Sequence, residues 1–262
     1  GSFWMWTDIP GVLIFRSHGQ QDERLDWVPQ LFVREMRRME YKSIAIDGPS
    51  GAGKSTMAKR LATALGYLYV DTGAIYRTLG LFALKRGVDP GCEREVLPLL
   101  PQAKIRMAYG EDGFQHMYLD GEDVTDEIRR PEVSTAASKI SAIPEVRDFL
   151  LGMQRDMAKK NNVIMDGRDI GTVVLPKADA KIFLMATPEA RAQRRYAELL
   201  ERGMQVEYEN VFHDILERDA RDSGRSAAPL KRAEDAVLVD TTEHSLEESF
   251  QILLRTVQEK LR

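Results

Sequence analysis

The run from Ile44 to Thr56, IAIDGPSGAGKST, constrains the fold more than any other stretch of this chain. A short isoleucine-rich run leads into a loop containing Gly48, Gly51 and Gly53, and the loop ends in Lys54, Ser55 and Thr56. Residues 54–65 then carry helical spacing through Met57, Leu61 and Leu65. Gly48, Gly53, Lys54 and Ser55 fit G-x-x-x-x-G-K-[ST], and the strand before and helix after are the context that pattern needs. Glycines let backbone N–H groups turn toward phosphate oxygens, and the helix start adds partial positive charge. Lys54 is placed to reach terminal phosphates and the Ser55 hydroxyl to bind Mg²⁺. The loop is built to hold a nucleoside triphosphate.

Composition narrows the setting. The chain has 262 residues, enough for one α/β domain with an insertion or for two domains. Its 43% hydrophobic and 30% charged content is that of an ordinary globular protein. A formal net charge of −4 argues against a binder of polymeric nucleic acid. With Cys92 the sole cysteine, neither an intrachain disulfide nor a cysteine-based zinc site can form, and a reduced thiol in the cytoplasm is the expectation. No apolar run approaches the ~18 residues of a membrane span. The first residues do not read as a signal peptide, because a basic leader is missing and Asp8 and Pro10 break the apolar part.

Residues 1–40 read as an extension outside the main domain. Gly1-Ser2 resembles a cloning scar, and Met36 or Met39 would serve as a start close to the first strand. The rival reading is a helical arm through Leu25, Val28, Leu31, Phe32 and Met36. From Ser43 strands and helices alternate: SIAI, the glycine loop, a helix, YLYV at 67–70 and a helix over about 73–86. Alternation of this kind predicts a parallel sheet covered by helices, with the second strand beside the first. The middle breaks the rhythm. KIRMAY (104–109), a turn at 110–113, FQHMYL (114–119) and a second turn before Val124 predict a small antiparallel meander. Helices follow over about 132–142 and 145–160. Strands resume at NVIMD (162–166), AKIFLMA (180–186) and DAVLVD (235–240). Thr187-Pro188-Glu189 is a helix start, and Ser245 to Glu248 has capping-box spacing. The last helix places Leu246, Phe250, Leu253, Leu254, Val257 and Leu261 on one face.

Three further clusters sit near strand ends or on helices. DTGAIYR (71–77) ends in Arg77, suited to a phosphate. DGRDIG (166–171) places Asp166 where a Mg²⁺-associated carboxylate is expected. Eight arginines lie between 191 and 232: Arg191, Arg194, Arg195, Arg202, Arg218, Arg221, Arg225 and Arg232. Arg218, Arg221 and Arg225 would stack on one helix face. That face is either a solvated one paired with Glu217, Asp219 and Asp222, or a lid that closes on phosphates.

Taken together, IDGPSGAGKST, DTGAIYR, DGRDIGTVV and ERDARDSGRSAAPL resemble the bacterial cytidylate kinases, from about Tyr41 to Arg262. The resemblance implies a P-loop kinase fold with an inserted β lobe and an arginine-rich helical lid. The core would span about 41–97 and 161–262, the CMP-binding insert about 98–160 and the lid about 191–225. It implies transfer of the ATP γ-phosphate to CMP or dCMP, with Mg²⁺, in pyrimidine nucleotide metabolism. Gly48, Pro49, Ser50, Gly51, Ala52, Gly53, Lys54, Ser55 and Thr56 would form the ATP loop. Thr72, where the family often has serine, and Arg77 would receive the CMP phosphate. Ser138, Arg147 and Asp169 match cytosine-reading positions, and Arg218 and Asp222 match those that hold the sugar. Lys54, Arg168, Arg218 and Arg225 would surround the transferred phosphoryl group, with Ser55 and Asp166 at the metal. A cytoplasmic monomer acting on small nucleotides is the expected form. Two other readings compete: a P-loop kinase for another monophosphate, and an ATP-driven switch. A guanine-reading N-K-x-D is missing, which sets GTPase switches aside.

Overall fold

The computed structural model describes residues 4–6, 14–16, 41–110 and 113–262. The chain divides into two compact units, Gly1–Glu40 and Tyr41–Arg262. In the first, Trp4–Trp6 pairs antiparallel with Ile14–Arg16. The helical arm expected through Leu25 to Met36 lies outside the described residues, as do Glu111 and Asp112 of the expected turn.

The second unit opens with β1 (Ser43–Asp47), α1 (Lys54–Leu65), β2 (Leu68–Asp71) and α2 (Thr72–Lys85). After an intervening segment come β6 (Val163–Gly167), β7 (Ala180–Met185), α5 (Pro188–Glu201), α6 (Tyr208–Gly224), β8 (Val237–Asp240) and α7 (Leu246–Lys260). The five strands form one parallel sheet in the order β8-β7-β1-β6-β2. So β6 separates β1 from β2, and the expectation that the second strand runs beside the first is corrected. The β1–α1–β2 crossover skips one place, and β6 fills it after the insert, pairing on both sides. Such skipping depends on how helices cover the sheet faces, which no local periodicity records.

The inner strands are buried on both faces: Ile44, Ala45 and Ile46 in β1 and Val163, Ile164 and Met165 in β6 are fully buried. Continuous apolar runs are what a parallel sheet under two helix layers requires. Leu253 and Val257 of α7 close one face with Met57 and Leu61 of α1. Leu246 departs from the expected apolar face. It is 54% exposed, because it sits in the first turn of α7, at the rim of a cleft and outside the cluster that Phe250 and Leu253 join. Ser245 and Glu248 make the expected capping box, and Thr187 caps α5 by accepting from Ala190 N.

Between α2 and β6 lies a second sheet of β3 (Ile105–Tyr109), β4 (Gln115–Leu119) and β5 (Glu122–Asp123), all antiparallel. β5 occupies residues read from sequence as turn alone. The turn itself is Asp120-Gly121, with φ of 52° and 94°, the left-handed pair a tight hairpin needs. α3 (Pro131–Ile140) and α4 (Pro144–Lys160) follow, each with proline in its first turn. They bury Ile140, Val146 and Leu150 against Ile75, Leu79 and Phe82 of α2 and Met117 of β4.

One glycine fixes how β1 gives way to the loop. Gly48 has φ of 151°, and a Cβ there would lie 1.9 Å from the Leu184 carbonyl oxygen of β7. Backbone cannot yield that far without breaking the β1–β7 pairing. Gly48→Ala is expected to cost about 2 kcal/mol or more, read as a fall of several degrees in Tm. An unchanged melting curve would contradict this account of the loop.

Candidate active site

The carboxyl ends of β1, β6 and β2 lie in register, with Ile46 and Asp71 both opposite Asp166. Open parallel sheets hold ligands at this edge. A cleft of about 1550 Å³ opens there. Ser50 to Thr56 line it, together with Thr72, Arg77, Ser138, Arg147, Asp166, Arg168, Asp169, Arg218, Asp222 and Arg225. Gly48 and Pro49 are not among its lining residues. Ser50 and Arg225, 175 residues apart in sequence, thus share one cavity.

At the loop, Lys54 is 6% exposed and its Nζ donates to the Pro49 carbonyl at 2.6 Å. Burial, reinforced by the Arg168 guanidinium, pushes its pKa well below the usual lysine range. The Ser55 hydroxyl donates to Asp166 Oδ2 at 2.8 Å, and the Tyr69 hydroxyl to Asp166 Oδ1 at 3.0 Å. Burial, with the nearby Asp71 charge, raises the Asp166 carboxyl to about 6.

Across the cleft, Arg77 donates to Asp71 Oδ2 at 2.7 Å, while Asp71 also caps α2 by accepting from Ala74 N. The Thr72 hydroxyl donates to the Asp166 carbonyl at 2.7 Å, which leaves its lone pairs as acceptors. Arg147 is ion-paired with Asp169, and its Nη1 donates to the Ser141 carbonyl at 3.1 Å. Arg168 Nε donates to Asp222 Oδ2 at 2.7 Å. Burial and the Arg168 charge lower Arg218 to about 10, so it stays cationic at neutral pH. Arg225 Nη2 lies 4.0 Å from Asp169 Oδ1. The helical stack of Arg218, Arg221 and Arg225 is only partly formed. α6 ends at Gly224, and Arg225 has extended backbone (φ −67°, ψ 142°) with its Nε donating to Ala228 O at 2.6 Å. Leaving the helix is what turns Arg225 toward Asp169.

Arg77 Nε, Ser138 Oγ, Arg147 Nε, Arg218 Nε and Arg225 Nη2 are buried without a hydrogen-bond partner among the described residues. All five belong to side chains lining the cleft, and a sixth such atom, Gln154 Nε2, lies outside it. Each such atom costs about 1–3 kcal/mol until it finds a partner. Phosphate oxygens can satisfy the Arg77, Arg218 and Arg225 donors, so polyphosphate and monophosphate groups fit this cavity. Ser55 and Asp166 offer a hydroxyl and a carboxylate side by side, hard oxygen donors of the kind Mg²⁺ takes.

A family model described as cytidylate kinase matches residues 44–259. The chain belongs to the cytidylate kinase family. A cytidylate kinase from Caldicellulosiruptor bescii is 50% identical over 216 residues, covering 82% of this chain and 95% of that one. Others are 47% identical in Thermosipho melanesiensis (84% and 98% covered) and 48% identical in Carboxydothermus hydrogenoformans (83% and 97% covered). The match starts at the second residue of β1 and takes in the rest of the five-stranded sheet, the three-stranded sheet, the helices from α1 to α6 and every cleft residue named above.

Sequence reasoning passed over several residues of this cytidylate kinase site. In DTGAIYR the sequence reading gives Asp71 no role, although a carboxylate before a helix is an N-cap signal. Tyr69 and Tyr76 read as strand and helix core, yet Tyr69 anchors Asp166, and the Tyr76 ring lies 5.3 Å from the Arg147 guanidinium. Asp47 accepts from Ile170 N and Gly171 N, both at 2.7 Å, and so ties the end of β1 to the turn carrying Arg168 and Asp169. Nothing in the local sequence marks that contact.

Proposed function

We infer that the protein transfers the γ-phosphate of ATP to CMP or dCMP, giving ADP and CDP or dCDP. The observation that carries this reading is the cleft itself. Lys54 at the triphosphate loop and Arg77, Arg168, Arg218 and Arg225 opposite line a single cavity, beside the buried Arg147–Asp169 pair. Cations on both sides of one gap suit two phosphorylated ligands meeting end to end.

On the donor side, the N–H groups of residues 50–56 and Lys54 would hold the triphosphate. Ser55 and Asp166 would hold Mg²⁺, which when bound neutralises charge on the phosphate oxygens. On the acceptor side, Arg77 and Thr72 would fix the CMP phosphate. Asp222 and Arg218 would hold the sugar, and Ser138, Arg147 and Asp169 the base. The acceptor phosphate oxygen then bonds to the γ-phosphorus as its bond to the β–γ bridging oxygen breaks, and ADP leaves. Lys54, Arg168, Arg218 and Arg225 would stabilise the charge spread over the transferred group, and no covalent enzyme intermediate is needed. Closure of α5 and α6 over the cleft would keep water from competing as acceptor.

The proposed domains are a core at about 41–97 and 161–262, the CMP-binding insert at 98–160 and the lid at 191–225. A cytoplasmic monomer is proposed with them. One chain supplies every charged group the reaction uses, and Cys92 is a free thiol. The direct test is ADP release from ATP·Mg²⁺ with each nucleoside monophosphate in turn. Turnover confined to CMP and dCMP supports the reading. Equal turnover with AMP, GMP or UMP would replace it with another P-loop kinase.

Deleting residues 1–38 is expected to leave kcat with CMP within about twofold, because the family match and every cleft residue begin after Tyr41. A large fall in kcat or Tm of the shortened protein would show that the second unit depends on the first.

A further inference from the structure

Arg191 belongs to the arginine-rich stretch read from sequence as a lid, yet it is not among the residues lining the cleft. It is 2% exposed, and its guanidinium reaches three separate elements. Nε donates to the Ala186 carbonyl at the end of β7 at 2.9 Å. Nη1 donates to the Ser50 carbonyl of the phosphate loop at 3.1 Å and to Asp219 Oδ1 at 3.0 Å. Nη2 donates to Asp219 Oδ2 at 2.6 Å, completing a two-pronged ion pair with α6. The approach to the loop is close: a Cβ on Gly51 would lie 3.2 Å from Arg191 Cβ.

We propose that Arg191 and Asp219 are positioning residues that lock the donor loop and α6 into one register, so that Arg218 faces the phosphate held by the loop. This rests on the kinase reading above. The chemistry follows from what each end needs. A phosphate cradle must present N–H groups to the anion, so its carbonyls must be turned away and paired elsewhere. Arg191 takes the Ser50 carbonyl, as Lys54 takes that of Pro49. At the other end, Asp219 is next to Arg218 and one helical turn before Asp222, which holds Arg168. Fixing Asp219 therefore fixes where α6 presents Arg218 and where its Asp222 holds Arg168, two of the cations proposed to meet the transferred group. The planar fork of arginine can hold a carboxylate with two bonds and a carbonyl with a third N–H, which an ammonium cannot reproduce. Because displacements of about 1 Å can cost about 10² in rate, such a lock matters for turnover without touching substrate.

The test uses the full chain in Asp219→Asn and Arg191→Lys forms, each with and without Arg218→Ala. Melting curves and circular dichroism establish the folded fraction, and kcat/KM with ATP·Mg²⁺ and CMP is measured per folded molecule. Each single variant is expected to lose about tenfold or more. Arg218→Ala should then cost at least about fivefold less in the Asp219→Asn background than in the parent, because the cation it removes is already misplaced. Should Asp219→Asn fail to fold, Asp219→Glu keeps the charge and lengthens the arm, and the same smaller cost is expected there. Turnover within about twofold of the parent, or an Arg218→Ala cost equal in both backgrounds, would overturn the proposal and leave a merely structural ion pair. The parent serves as the separate check. If it shows no CMP-dependent turnover, the kinase reading itself fails, whatever the variants do.

Discussion

Lys54→Ala is expected to give a folded protein whose turnover with ATP·Mg²⁺ and CMP falls by about 10² or more. The size follows from removing a positioned cation at a site where phosphoryl transfer would rely on charge neutralisation. The fold should tolerate the change. Lys54 is buried beside Arg168 and Arg218, which disfavour its charge, and beside Asp166 and Asp222, which favour it. Its lowered pKa means burial and the neighbouring arginines outweigh the carboxylates in the folded state, so the repulsion relieved by removing the ammonium offsets the stem contacts, the carboxylate attraction and the bond to Pro49 O that are lost. A Tm within a few degrees of the parent, with turnover reduced, is the expected pair of results. Near-normal turnover in a well-folded variant would contradict the role given to the loop.

Base choice should show an effect of similar size. Cytosine presents an N4 amino donor and an N3 acceptor, whereas uracil presents an O4 acceptor and an N3–H donor. A carboxylate at Asp169 can accept from the amine and repels O4, and Arg147 cannot accept an N3–H. The structure adds rigidity to this argument. Asp169 is 4% exposed and Arg147 8%, they are paired with each other, and Arg147 is also anchored on Ser141 O. Arg147 Nε is left without a partner, free for the base. Each polar reading contact carries about 1–3 kcal/mol, so kcat/KM for CMP should exceed that for UMP by about two orders of magnitude. Asp169→Asn should narrow the ratio mainly by losing CMP activity. Removing the charge also leaves the Arg147 guanidinium buried without its counter-ion, a change that costs about 3–5 kcal/mol in such pairs. Rates must therefore be referred to folded protein. A parent that uses UMP as well as CMP, or a variant that keeps the full ratio, would remove Asp169 from base reading.

What was legible in the sequence is what local chemistry determines. The strand–loop–helix around Lys54, the cap at Thr187 and the box at Ser245 and Glu248 depend on neighbours a few residues away. The place of β6 between β1 and β2 depends on how whole helices pack, and no short window carries it. The same distance hides the side-chain partners. Ser55 meets Asp166 from 111 residues away, Arg168 meets Asp222 from 54, and Arg191 meets Asp219 from 28. Spacing alone also stacked Arg225 with Arg218 and Arg221, because it could not register that the helix stops at Gly224. Spacing offers Asp219 and Asp222 as partners for their own helix face, but the fold pairs both with arginines outside α6. The assignment of Ser138, Arg147 and Asp169 came from family resemblance, since nothing in their spacing singles them out.

The central claim is that the cleft brings a nucleoside triphosphate and CMP together so that phosphate passes between them. The most direct measurement follows the γ-phosphate of labelled ATP with Mg²⁺ in the presence and absence of CMP. The account predicts label in CDP in one-to-one ratio with ADP formed, and very little ADP without CMP. Label released as inorganic phosphate, or ADP formed at the same rate whether or not CMP is present, would contradict it and favour an ATP-driven switch.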